Sequence, residues 1–265
     1  MKILMCRPDH YAIKYEINPW MSIKHQTHLA TALAQWETLY QNIDDCGATI
    51  LLVPQAPDCP DMTFTANAGL LLNDRIILSH FKFKERQLEA PHFESWFTQA
   101  GFHVVNRVND QSPSAYFEGA GDALLAGDAL FAGYGFRTNR SFYQTSGFFN
   151  ADKLIYCELV NPYFYHIDTC FCPLNETLAI WHKDAFSPEA QKNMLKHIEL
   201  IDVNTEEAKK FACNAVVIDQ HVILPKGCPE LTSTLESRGY QVRACDMTEY
   251  LKAGGACKCL TLRLD

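Results

Sequence analysis

The stretch Asp122-Ala-Leu-Leu-Ala-Gly-Asp-Ala-Leu-Phe-Ala-Gly133 joins two short apolar runs through the dipeptide Gly127-Asp128. Runs this short suit buried strands rather than helices, and a Gly-Asp pair between them is turn chemistry, so the segment predicts a β-hairpin. Three other stretches have the same pattern: Asn67 to Leu78 around Asn73-Asp74, Asp168 to Ile180 around Asn175-Glu176, and Asn214 to Leu224 around Asp219-Gln220. Their polar heads, Asn67, Asp122, Asp168 and Asn214, recur about every 50 residues, a period expected of propellers and solenoids. A fifth head falls near Cys257, where Cys257-Lys-Cys-Leu-Thr-Leu-Arg-Leu-Asp265 supplies only one strand. The run Lys2 to Cys6 can provide its partner and close the ring, which removes an open sheet edge. Helical patterns lie between hairpins at Thr27 to Asn42, Lys84 to Ala100 and Ser187 to Ile198, the last with Ser187 as N-cap and Pro188 in its first turn. The expected architecture is α/β, a five-bladed αβ-propeller with pseudo-five-fold symmetry.

The 265 residues are 48% hydrophobic and 20% charged, enough apolar surface for a large core. With no Gly/Ser-rich linker or composition break, residues 1–265 read as one catalytic domain. A net charge of −8 disfavours nucleic acid and anionic membranes as partners. The N-terminal apolar run is too short for a signal peptide and no segment is long enough to span a membrane, so a cytoplasmic location is expected. Eleven cysteines, an odd count without an export signal, read as reduced thiols. Cys170/Cys172 and Cys257/Cys259 are close pairs, but neither has the C-x2-C spacing of structural zinc sites, and no metal is expected.

If five hairpin heads point at one axis, they gather Asp61, Asn67, Glu118, Asp122, His166, Asp168, Asn214 and Cys257. Cys257 follows Gly254-Gly255-Ala256, where glycine lets backbone approach a ligand closely. On a strand, alternation sends His166 and Asp168 to the same face. Taken singly, these residues read as a buried thiol, a structural histidine and solvated loop carboxylates. Their equivalent places in separate repeats favour a shared site.

At Pro60-Asp-Met-Thr-Phe-Thr-Ala-Asn-Ala-Gly69, Phe117-Glu-Gly-Ala-Gly-Asp122, Gly133-Tyr-Gly-Phe-Arg-Thr138, His166-Ile-Asp168 and Gly254-Gly-Ala-Cys257 the chain resembles the guanidino-group-modifying enzymes of the pentein fold. That superfamily includes arginine deiminases, dimethylarginine hydrolases and amidinotransferases. The resemblance implies Cys257 as nucleophile, His166 as general acid and base, Glu118 as its orienting partner, and Asp168 as a guanidinium-binding carboxylate. It implies Arg137, with Arg86 as a second candidate, for the substrate carboxylate, and Asp61 and Asn18 as further substrate contacts. No cofactor is implied. The physical case agrees: carboxylates match the charge and forked donors of a guanidinium, and a nearby cation activates a thiolate.

Where deiminases carry a guanidinium-binding Asp, this chain has Asn67. An amide both donates and accepts, so Asn67 could hold a guanidinium and then a neutral ureido group. With Thr65-Ala-Asn-Ala-Gly69 and Glu16-Ile-Asn-Pro-Trp-Met21, the resemblance is to arginine dihydrolases, which convert arginine to ornithine, two ammonia and carbon dioxide. Larger dihydrolases carry a further C-terminal domain, and a second activity is not expected here. Deiminase, dimethylarginine hydrolase and amidinotransferase activities stay open, as does a binding-only role like that of the fold's ribosome-binding members. The sequence leaves homo-oligomerisation open.

Overall fold

The computed structural model describes residues 1–72, 74–105 and 115–265; the turn residue Asn73 lies outside them. It contains five three-stranded sheets. The strands Gly69–Leu72, Arg75–Leu78 and His103–Val105 form one; Ala123–Ala126, Ala129–Tyr134 and Leu154–Glu158 the next; Phe171–Pro173, Leu178–Trp181 and Glu199–Asp202 the third; and Val216–Ile218, His221–Pro225 and Gln241–Cys245 the fourth. In each, the first two strands are an antiparallel hairpin and the third runs parallel to the second. A parallel neighbour needs a crossover, and each unit supplies a helix there: Ala90–Gln99, Arg140–Thr145, Pro188–Met194 and Pro229–Ser237.

The fifth sheet repeats this plan across the two ends of the chain. Leu262–Arg263 pairs antiparallel with Lys2–Cys6, which pairs parallel with Thr49–Val53 after the helix Leu29–Asp45. The N-terminal run therefore completes the last hairpin as its composition predicts. The sheets are not joined to one another by strand ladders, so the ring is not closed by strand pairing.

The turn chemistry acts as expected. Gly127 takes φ 55° and Asp219 φ 51°, the left-handed conformations a tight hairpin demands. The Asn175 side chain accepts from the backbone N–H of Thr177 and Leu178 at 2.8 and 2.9 Å. Helix Leu29–Asp45 buries Ala32, Gln35, Trp36, Leu39 and Ile43, one stripe at helical spacing. The Lys84 to Ala100 pattern is two helices, Lys84–Gln87 and Ala90–Gln99, with Pro91 in the first turn of the second. Ser187 Oγ accepts from Ala190 N at 3.3 Å, as an N-cap does, although the helix ends at Met194.

One expectation is corrected at the heads. They are not strand ends but one-turn 3-10 helices, Thr65–Asn67, Gly119–Gly121, Ile167–Thr169 and Lys258–Leu260. His166 is extended and caps its turn, and the bonds Thr169 N–H to His166 O and Cys170 N–H to Ile167 O wind the chain immediately after it. At three residues per turn, positions two apart point in different directions. His166 and Asp168 therefore diverge instead of sharing a face. The four turns pack against one another, which gathers their side chains into one region.

Candidate active site

Two groups of polar side chains occupy that region. The first centres on Glu118, which has no solvent exposure. Its Oε2 accepts from His166 Nε2 at 2.8 Å and from Arg137 Nη1 at 2.9 Å. Arg137 is flanked by the rings of Phe83 and Tyr165, each 4.7 Å from the guanidinium carbon, and also donates to the Ile17 carbonyl. Asn67 Nδ2 donates to the Glu118 carbonyl at 3.1 Å, while its Oδ1 accepts from Arg86 Nη1 at 2.8 Å. The amide thus donates and accepts as its chemistry allows. Arg86 makes a two-pronged pair with Glu89 at 2.8 Å on both oxygens and donates to the Asp61 carbonyl. Burial opposes ionisation of Glu118, yet Arg137 and His166 hold its carboxyl well below the usual carboxylate range.

The second group holds the thiol. Cys259 Sγ lies 3.5 and 3.7 Å from the two carboxylate oxygens of Asp168. Asn214 clamps both residues: its Nδ2 donates to Cys259 Sγ at 3.1 Å and to the Asp168 carbonyl at 2.9 Å, and its Oδ1 accepts from Cys259 N–H. Cys257, singled out from the sequence, is not there. It caps the turn that carries Cys259, and it is fully buried in an apolar cluster that includes Cys245 at the end of a strand. The same 3-10 geometry that separates His166 from Asp168 separates Cys257 from Cys259.

Asp168 stands three residues before the first strand of its hairpin, as Cys259 does before Leu262, but Asn67, Asp122 and Asn214 stand two, one and two residues before theirs, so the repeat register alone does not single out Cys259. Glu89, Tyr165 and Lys258 were also missed. Glu89 alone had a local signal, its i,i+3 spacing from Arg86 on a helical segment.

Asn18 reaches the region from above. Its Nδ2 donates to the Ala253 carbonyl at 3.0 Å and its Oδ1 accepts from Trp20 N–H, so it staples segment Tyr11 to Met21 over Gly254. Gly254 takes φ 81°, and a Cβ there would lie 2.9 to 3.0 Å from Trp20, Tyr165 and Asn18. The glycine before the thiol is therefore required by both conformation and space.

Five buried carboxylic acids, Asp61, Glu89, Glu118, Asp122 and Asp168, surround two guanidiniums and one imidazole. Among the described residues Asp61 Oδ1 and Asp122 Oδ2 have no hydrogen-bond partner. This surplus of buried acceptors suits a cationic ligand rich in N–H donors. Among the described residues no group of three or more His, Cys, Asp or Glu could hold a metal ion. No helix among them is long and apolar enough to cross a membrane.

Burial pushes Asp168 up to about 7, against the pull of Lys258 and hydrogen bonds from Cys259 and Asn214. Burial likewise pushes Asp122 up to about 6 and Glu89 to about 7. A carboxyl whose pKa is higher folded than unfolded holds its proton longer in the native state, so stability falls as pH rises between the two values. From its ordinary 3.8 up to about 7, Asp168 therefore opposes folding increasingly. Asp168→Asn is expected to raise the thermal midpoint near pH 8 and leave it unchanged near pH 4 while abolishing turnover; calorimetry at the two pH values checks this.

Gly121 shows how tightly the heads meet. A Cβ on it would lie 2.2 Å from Asn67 Nδ2 and 3.4 Å from His166 Cγ. Gly121→Ala is expected to displace the Asn67 amide, destabilise the fold by about 1–3 kcal/mol and lower kcat/KM, measured by denaturant titration beside steady-state kinetics.

Five hairpin units that gather a thiol, an imidazole and carboxylates at their heads define a pentein-type guanidino-modifying protein. The model of the family described as "N,N dimethylarginine dimethylhydrolase, eukaryotic" matches residues 9–264, and the chain belongs to this family. It is 42% identical to the bifunctional arginine dihydrolase/ornithine cyclodeaminase ArgZ of Synechocystis sp., a match covering 100% of this chain and 38% of that relative's length. It is 33% identical to an N(G),N(G)-dimethylarginine dimethylaminohydrolase of Mycobacterium tuberculosis over 98% of this chain and 84% of that protein. The solved N-terminal domain of ArgZ bound to substrate, from cyanobacteria, superposes with a TM-score of 0.93 at 41% identity, covering 99% of this chain and 97% of that one.

Proposed function

We propose that residues 1–265 act as one catalytic unit that hydrolyses the guanidino C–N bonds of arginine twice, yielding ornithine, two ammonia and carbon dioxide. The observation that carries this reading is the Cys259 thiol set 3.5 Å from the Asp168 carboxylate. Burial and the adjacent Asp168 push that thiol well above the ordinary range. A cation bound between the two groups stabilises carboxylate and thiolate together, and a guanidinium supplies both the charge and the electrophilic carbon. The dihydrolase named in the cyanobacterial relative supports arginine as that cation's source.

Cys259 attacks the guanidine carbon, and His166, oriented by Glu118, protonates the departing ammonia. Water deprotonated by His166 then opens the covalent thiouronium to the ureido product. Asn67, able to donate as well as accept, retains that neutral group for a second attack by Cys259. Loss of the second ammonia leaves a carbamoyl thioester; its hydrolysis gives a carbamate that releases carbon dioxide and ornithine. Asp168 and Asp61 accept from the guanidinium, Asn18 closes the site over it, and Arg137 and Arg86 hold the substrate carboxylate by exchanging their present acidic partners.

Product analysis with arginine tests this. Two ammonia per arginine with ornithine is expected. One ammonia with accumulating citrulline makes the chain a deiminase. Inertness toward arginine with dimethylamine released from dimethylarginine makes it the enzyme its family model describes.

A further inference from the structure

The first strands of all five units leave between them a cavity of about 580 Å³. Leu70, Leu124, Phe171, Val216 and Leu262, one from each unit, form its apolar wall. At one end it reaches the head turns at Ala120 and Lys258, at the other the hairpin turns at Gly127, Glu176 and Asp219. Among the described residues, none of Asp61, Asn67, Glu118, His166, Asp168 and Cys259 lines it. The cavity is therefore separate from the candidate active site and is joined to it through the head turns. Its size, apolar wall and few polar groups are those of a small-molecule site.

The charges along it select the ligand. The Met1 amine and Arg263 both pair with Asp265. Glu176 and Asp219 are exposed turn residues at the end away from Lys258. Lys258 is half-buried, its ammonium donates to the neutral carbonyl of Thr261 at 3.3 Å, and among the described residues it makes no ion pair. A half-buried cation without a counter-charge in contact favours an anion beside it, and the apolar wall favours a hydrocarbon body.

We infer that this cavity binds a small monocarboxylate with an apolar tail, its carboxylate on the Lys258 ammonium, and that such a ligand weakens substrate binding across the head turn. Lys258 and Cys259 are consecutive in the turn Lys258–Leu260, with Cys259 beside Asp168. The Lys258 charge is the first of the attractions that draw Asp168 toward its ionised form against burial. A carboxylate on Lys258 cancels that pull, Asp168 holds its proton more firmly, and a guanidinium loses its acceptor. Linkage makes the effect reciprocal, so bound arginine weakens the carboxylate by the same factor. Binding in the cavity is independent of the proposed reaction; the coupling rests on it.

Octanoate is titrated into the full chain by calorimetry, with 1-octanol as the neutral control. Octanoate is expected to bind about tenfold or more tighter than 1-octanol, the worth of a hydrogen bond to a charged group, and Lys258→Met to lose that advantage. Leu125 lies on the wall and is 44% exposed, so Leu125→Asp is expected to repel octanoate while turning over like the parent. In Cys259→Ser, added arginine is expected to raise the octanoate dissociation constant to a plateau. A rise without limit means that octanoate occupies the arginine site, and it overturns the inference. So do no octanoate binding, and equal binding to the parent and Lys258→Met. Octanoate binding that ignores bound arginine overturns the coupling. Arginine that does not bind, with octanoate still dependent on Lys258, removes the proposed substrate and leaves the cavity site standing.

Discussion

Replacing Cys259 by Ser is expected to lower kcat by about ten-thousand-fold or more, because removing a nucleophile leaves only binding and electrostatic contributions. Cys257→Ala, two residues earlier, is expected to leave kcat almost unchanged and to cost about 1 kcal/mol of stability through a small buried cavity. The contrast rests on where the two thiols lie. Cys259 faces Asp168 at 3.5 Å and is held by Asn214, whereas Cys257 has no solvent exposure and lies in an apolar cluster. Steady-state kinetics of the two variants beside the parent, with circular dichroism to confirm folding, measure both effects. Equal losses in the two variants contradict the assignment.

The second large effect concerns Glu118. It is the shared acceptor of His166 and Arg137, all three nearly sealed from solvent. Glu118→Ala strands a buried guanidinium and frees the imidazole to rotate. Breaking such a pair by removing one partner is expected to cost about 3–5 kcal/mol, visible as a lower denaturant midpoint. The expected fall in kcat is about a thousand-fold or more, as when an orienting carboxylate is lost from a catalytic histidine. Glu118→Gln restores a hydrogen-bonding shape without the charge and is expected to recover stability more than activity. Equal recovery of both makes Glu118 a structural residue alone.

The hairpins were legible because their signals are local. Gly127-Asp128, Asn175-Glu176 and Asp219-Gln220 each sit between apolar runs too short for helices, and each turn forms where its chemistry places it. The pairing of Lys2–Cys6 with Leu262–Arg263 was legible for a different reason: a last unit with one strand needs a second, and the apolar run at the other terminus can supply it. The head turns were not legible. Ile-Asp-Thr and Lys-Cys-Leu give no local signal of a 3-10 turn, and an extended reading gives the wrong side-chain directions. That single misreading is why the sequence points to Cys257 where the structure sets Cys259 beside Asp168. His166, Glu118 and Asn67 lie together because the packing of the four turns, not the direction of any one strand, gathers them.

Charge pairing was also beyond local pattern. Arg137 and Arg86 read as carboxylate holders, and nothing in the sequence shows that each also pairs with a buried acid, Glu118 and Glu89 respectively. Pairs separated by nearly twenty residues through a hairpin, as Arg137 and Glu118 are, leave no periodic trace. The stretch from Arg137 to Tyr156 contains the helix Arg140–Thr145. Buried Tyr143 in it donates to the carbonyls of Asp122 and Gly133. The segment lying over the site is Tyr11 to Met21, held by Asn18, Trp20 and the bond from Arg137 to Ile17.

The most direct measurement is to mix the protein with arginine, quench in acid during turnover and locate the covalent adduct by fragmenting the intact chain in a mass spectrometer. An adduct confined to fragments that include Cys259 and absent from those ending at Cys257 is the predicted result. An adduct on Cys257, or turnover of arginine with no adduct on either cysteine, contradicts the account.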